Sequence, residues 1–188
     1  MSGTVELVAA LGDRVRPLRR AEYERLVAAG AFAQERVELL RGTLVRMTPQ
    51  DPAHADAVQW LARVVAASLP AHLDLRVQLP LAAGDDGEPE PDLAVVRAGR
   101  YRDAHPVSAL LVVEVARGSH AVDLGPKVST YAEAGVAEYW VVDLRARAVV
   151  VFREPEATGY RVRGEHRGGV LRPGPVPEVA VNVDELFA

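Results

Sequence analysis

Asp92, Glu114 and Lys127 have side chains whose types and order suit chemistry on a phosphodiester. Glu114 lies inside the apolar run LLVVEVA. A glutamate is almost never fully buried unless it is paired or liganded, because an unpaired buried carboxylate is costly. An edge strand with one wet face would also accept it. Against that, residues 110–113 are apolar on both faces, as in a central strand. Asp92 opens the strand in GEPEPDLAVVR, where Pro-Asp also serves as ordinary turn chemistry, and Glu88 and Glu90 read as a solvated turn. If strands 92–97 and 109–116 pair antiparallel about a loop centred near residue 103, Asp92 faces Glu114. Adjacent carboxylates repel. A cation between them relieves the repulsion, and an all-oxygen site of this kind suits Mg²⁺ or Mn²⁺.

Lysine and arginine together number 22, and Lys127 is the only lysine among them. The composition points to a coding bias that turns lysines into arginines. A lysine that survives such a bias is either a leftover on the surface or a residue that arginine cannot replace. Its compact ammonium acts as a point charge, whereas a guanidinium is a planar fork. Lys127 sits in the first turn of an expected helix, and Tyr131, four residues on, shares its face. Two carboxylates, a metal ion and a lysine suit phosphodiester hydrolysis. The ion lowers the pKa of a bound water, and the lysine orients that water or offsets charge in the transition state.

Other chemistries are poorly supported. There are no cysteines, which excludes disulfides, thiolate metal sites and cysteine nucleophiles. The five histidines form no H-x-x-x-H pair, so a histidine-built zinc site is not expected. Phosphate-loop, dinucleotide-binding and G-x-S-x-G signatures are absent. The net charge of −4 argues mildly against a constitutive nucleic-acid binder, though not against an enzyme with an acidic metal site and local arginines. The N-terminal stretch has no basic segment ahead of an apolar core. The apolar runs are too short to span a bilayer. The expectation is a cytoplasmic protein with no membrane partner.

The elements that must position these residues follow from periodicity. Residues 20–29 read as a helix, and ERVELLRGTLVRMTP as a hairpin with strands near 36–40 and 43–48. Asp51 and Pro52 open a helix over 52–69. DLRVQLPL, 92–97 and 109–116 read as strands. DLGPKVSTYAEAG reads as a helix that stops at Gly135. AEYWVVDL, AVVVFRE and GYRVRGE are three more strands, and VNVDELFA a strand entering a helical turn. The length of 188 residues suits one domain. The expected class is α/β, a mixed sheet flanked by helices. Trp60 and Trp140 fit core positions, and the arginines of 161–172 a solvated face.

With these residues in place, the chain resembles the PD-(D/E)XK nuclease superfamily and its restriction-endonuclease-like fold. More closely, it resembles the bacterial family of putative restriction endonucleases. The resemblance rests on an ordered set: ERVELLRGTLVRMTP, HADAVQWLA, EPEPDLAVV, LLVVEV, KVSTYAEAGVAEYWVVD and VNVDELF, over about residues 20–188. It implies a Mg²⁺-dependent DNA endonuclease or nickase, with Mn²⁺ as a substitute and a homodimeric state. Asp92 and Glu114 would be the core metal ligands, with the Val115 carbonyl a third and Glu38 a further one. Lys127 would complete the catalytic set, and His54 and Tyr131 would touch phosphate or support the ligands. Two departures stand out. The superfamily lysine falls two residues after the glutamate, where this chain has Ala116, so Lys127 would act from the helix. ARGSHAVD also lacks the Ser-Pro-Ser-Thr of close relatives, and its Asp123 receives no role. Glu38 would otherwise face water, and His54 would cap a helix. The alternative reading is an inactive DNA-binding or assembly module on the same fold.

Overall fold

The computed structural model describes residues 10–188. The first nine residues, on which the reading of the N-terminal stretch partly rests, lie outside the described residues.

Among the described residues, a short 3-10 helix (Gly12–Arg14) and two longer α-helices precede the main sheet. Helix α1 spans Arg20–Ala28, and α2 spans Pro52–Ser68. As the sequence predicts, Asp51 caps α2 by accepting the His54 backbone N–H, with Pro52 at the first helical position. Between the helices lies a hairpin, β1 (Val37–Leu40) and β2 (Thr43–Arg46). Its turn puts Arg41 and Gly42 at φ 48° and 72°, both left-handed, as tight hairpins require. At Gly42 a Cβ would also come within 2.3 Å of the Pro17 Cβ, so only glycine fits.

Six strands form the sheet in the order β3 (Leu73–Val77), β4 (Leu93–Arg97), β5 (Leu111–Ala116), β6 (Glu138–Asp143), β7 (Ala148–Glu156) and β8 (Gly159–His166). All neighbours are antiparallel except β5 and β6. That parallel pair needs a crossover, which α3 (His120–Asp123) and α4 (Pro126–Glu133) supply. The result is a mixed α/β fold of restriction-endonuclease-like type.

The β4–β5 register pairs Leu93 with Val113 and Val95 with Leu111. Extended one residue, it sets Asp92 opposite Glu114, as expected. On one face Leu93, Val95, Val113 and Val115 pack under α2 with Leu61 and Val65. On the other, Ala94, Val112 and Ala116 pack with Tyr131 and Tyr139. Asp92 and Glu114 fall on this second face by alternation. Each buried aliphatic side chain in these layers contributes about 1.5–3 kcal/mol, which offsets the cost of burying carboxylates among them.

The structure corrects three expectations. The third strand stops at Val77 rather than running through DLRVQLPL, because Gln78 is left-handed at φ 52°. The stretch before Gly135 is two helices, broken at Gly125, whose φ −122° and ψ −110° leave the helical region. As the sequence predicts, VNVDELFA is a strand, β10 (Val181–Asn182), entering a helical turn, α5 (Val183–Leu186), and a short strand, β9 (Val170–Leu171), pairs with β10. The third correction concerns the acidic turn. Glu88 is buried, and its backbone exchanges hydrogen bonds with Leu39 of β1. Glu90 is half-buried and ion-paired with Arg36. This segment is a bridge between hairpin and sheet, and was not legible as one from composition.

Candidate active site

Glu114 projects from the middle of β5 and is 4% exposed. Its Oε1 accepts hydrogen bonds from the Lys127 ammonium at 2.9 Å and the Tyr131 hydroxyl at 2.6 Å. Both donors come from α4, four residues apart on one helical face. Pro126 starts that helix, which fixes Lys127 in its first turn. The Lys127 Nζ also lies 3.3 Å from Glu38 Oε1 and 3.7 Å from Asp123 Oδ1. Glu38 belongs to β1, where it is buried rather than water-facing, and its other oxygen accepts the Glu90 N–H at 3.2 Å.

Asp92 is held by three donors. Its Oδ2 accepts the Val115 N–H at 2.9 Å and stands 3.0 Å from His54 Nε2. Its Oδ1 accepts from the Gln78 amide at 3.2 Å. His54 therefore turns from the first turn of α2 toward Asp92, while its backbone N–H serves the cap. The Nδ1 of the same ring is buried without a hydrogen-bond partner.

Glu38, His54, Asp92, Glu114, Asp123 and Lys127 line one cavity of about 670 Å³, with Arg46, Arg117 and Arg145 also on its wall. Arg117 pairs with Asp51 at 2.7 Å. Among the buried groups of the wall, four carboxylates thus stand with one lysine. The electrostatics follow from that count. Burial pushes Glu114 up to about 8; Lys127 opposes the rise, and Asp92, Asp123 and Glu38 add to it. Burial likewise disfavours the Lys127 charge, but Glu114, Glu38 and Asp123 outweigh it and raise its pKa. The two directions compete inside one ion pair. With two carboxylates within 3.3 Å, the proton belongs on Lys127. Glu114 is then a carboxylate short of positive charge. Burial raises Asp123 as well, against the pull of Lys127. Burial also raises Asp92, but His54 and the Val115 N–H overcome it and leave Asp92 lowered.

Among the described residues, no three His, Cys, Asp or Glu side chains stand ready positioned to hold a metal ion. The donor set nevertheless fits a hard divalent cation in kind and in charge: buried carboxylate oxygens, in excess over the local cations. Closing it on an ion requires the side chains of Asp92 or Glu38 to turn from their present partners.

Every site residue read from the sequence is therefore drawn to this cavity or its wall: Asp92, Glu114, Lys127, Glu38 and His54 directly, and Tyr131 through Glu114. The sequence reading gave no part to Gln78, whose contact depends on a left-handed backbone that carried no signal. Asp123 was noticed without a role; its spacing of four before Lys127 was the available clue.

Fold and cavity together define the class: a restriction-endonuclease-like domain with a buried carboxylate and lysine centre. The chain belongs to the family described as "Putative restriction endonuclease" (Uma2), which matches residues 20–184. It is similar in structure to a putative nuclease belonging to DUF820 from Anabaena variabilis ATCC 29413, with a TM-score of 0.75 and 14% identity over 91% of this chain and 98% of the other. No curated protein matches it. No helix among the described residues is long and apolar enough to cross a membrane.

Proposed function

We propose that the protein is a divalent-metal-dependent endonuclease that cuts DNA phosphodiesters with an activated water. The observation that carries this reading is the convergence of Glu38, Glu114 and Asp123 on the one lysine, on the wall of a cavity that also presents Asp92. Asp92 and Glu114 would hold Mg²⁺, or Mn²⁺ in its place, with Glu38 and the Val115 carbonyl as further oxygens. When bound, the ion supplies a water of lowered pKa and polarisation of the phosphoryl oxygen.

The chain's own residues do the rest. Lys127 keeps its ammonium among the carboxylates and offsets charge that develops on the phosphoryl oxygens. Tyr131 fixes the Glu114 carboxylate through its 2.6 Å hydrogen bond. His54 holds Asp92 in one orientation and, when protonated, offers a proton toward a phosphate oxygen. On this reading the domain acts as a single unit, as an endonuclease or nickase, forms a homodimer and acts in the cytoplasm.

A second reading, a DNA-binding or assembly module without catalysis, is favoured by one observation: Asp92 already spends both oxygens on protein donors. Nicking of supercoiled plasmid in Mg²⁺ separates the two. The nuclease reading predicts nicking that chelator abolishes and Lys127→Ala lowers at least a hundredfold. Equal nicking by Lys127→Ala would remove the site assignment.

A further inference from the structure

A second cavity, of about 410 Å³, opens at the free edge of the sheet, on β3 and the loop that follows β4. Arg76, Arg100, Tyr101 and Arg102 line it. Arg76 is the unusual member. It is half-buried, yet among the described residues no carboxylate lies within ion-pair distance of it. Its one hydrogen bond is a long one, 3.3 Å, to the Pro80 carbonyl, and its Nε–H is buried without a partner. Burial accordingly lowers the guanidinium's pKa, with Tyr101 and Asp74 only partly opposing. A guanidinium normally uses several of its five donors, and orphaned buried donors are costly.

The surroundings hold this cation in place rather than neutralise it. The Tyr101 ring lies 5.3 Å under the guanidinium carbon, a cation–π contact. The Tyr101 hydroxyl is fixed by the Arg97 carbonyl at 2.7 Å. Asp74, the acidic residue of the lining, uses Oδ2 to accept the Gly99 N–H at 3.1 Å, which shapes the loop that carries Arg100 and Arg102. Those two arginines flank Tyr101 in sequence and are exposed. Three guanidiniums around one concavity, one of them making a single long hydrogen bond through its fork, match the oxygens of a phosphate.

We propose that this cavity binds a backbone phosphate of DNA away from the scissile one. The inference rests on the nuclease reading for the source of the phosphate. Register supports the placement. Arg76 pairs with Ala94, two residues from Asp92 on the same face of β4, so the backbones at Arg76 and Asp92 are about 8 Å apart. A strand held at Asp92 thus needs to extend only a few nucleotides to reach the arginines.

The test follows the Arg76 Nε–H signal by NMR while inorganic phosphate and, separately, a short DNA duplex are added without divalent metal. DNA binding is measured in parallel against salt for wild type, Arg76→Gln and the surface double variant Arg100→Gln/Arg102→Gln. The inference predicts that DNA shifts the Arg76 signal, that each variant weakens DNA binding severalfold, and that the salt slope falls by about one per phosphate lost. It also predicts unchanged metal-dependent hydrolysis of a small phosphodiester. An unmoved Arg76 signal with unchanged slopes overturns it. So does a shift with inorganic phosphate alone, which would assign the cavity to a free phosphorylated ligand. A shift with DNA in a protein that never nicks plasmid would retain this site and remove the nuclease reading instead.

Discussion

The ammonium of Lys127 stands 2.9 Å from Glu114 Oε1, with both side chains almost wholly buried. The pair joins the central strand to the crossover helix, and Glu38 and Asp123 share the same cation. Its removal therefore exposes a charge imbalance at the centre of the fold.

Lys127→Met should destabilise the protein by about 3–5 kcal/mol, the usual cost of stranding a buried partner charge. Adding Glu114→Gln should restore part of that loss without restoring nicking. Urea unfolding of both singles and the double gives the coupling. Additive losses would mean that the pair does not act as a unit.

His54 should titrate above its usual value of about 6.5. Burial opposes its charge, but the hydrogen bond and charge of Asp92 prevail. A histidine raised on folding contributes stability that is fully present below its unfolded pKa and is lost as pH rises through the folded one. Asp92→Asn should return the imidazole toward or below 6.5 and remove this pH dependence. Following the His54 ring protons by NMR checks it, and a titration unchanged by the substitution would refute the contact.

Glu88 is displaced in the direction opposite to a paired carboxylate, and so its contribution also falls as pH rises. Burial first, then Glu24 beside it, pushes Glu88 up to about 7, with Arg20 opposing. The folded state thus holds a proton that the unfolded chain releases near 4.5. Stability from this residue falls as pH rises from about 4.5 through 7, and the penalty persists above. Glu88→Gln should gain about 1–2 kcal/mol at pH 8 and little at pH 4. Denaturation at both pH values tests the sign.

Gly42→Ala should cost about 1–3 kcal/mol, since it places a Cβ at φ 72° and against Pro17. Because β1 carries Glu38, nicking should fall with stability. Thermal unfolding and plasmid nicking of one preparation make the comparison.

What the sequence made legible follows from local geometry. The Asp92–Glu114 facing could be read because a hairpin-like loop fixes an antiparallel register about its centre. Lys127 stood out because an arginine-rich composition left it alone, and Tyr131 because helical spacing ties it to Lys127. The unread features depend on distant partners. Glu88 is buried because β1 bridges it and Glu24 of α1 reaches it, neither of which its own turn reveals. Gln78 reaches Asp92 only because its backbone turns left-handed. Gly125 breaks the crossover where helical periodicity runs on.

On the proposed function, Asp92 and Glu114 share one divalent ion with the help of Glu38. Anomalous diffraction from crystals grown with Mn²⁺ tests it most directly. The expected result is a single strong peak between the Asp92 and Glu114 carboxylates, with Lys127 still in the cavity wall and the peak lost in Glu114→Gln. No peak there at millimolar Mn²⁺, with Asp92 still bonded to His54 and Gln78, would contradict it.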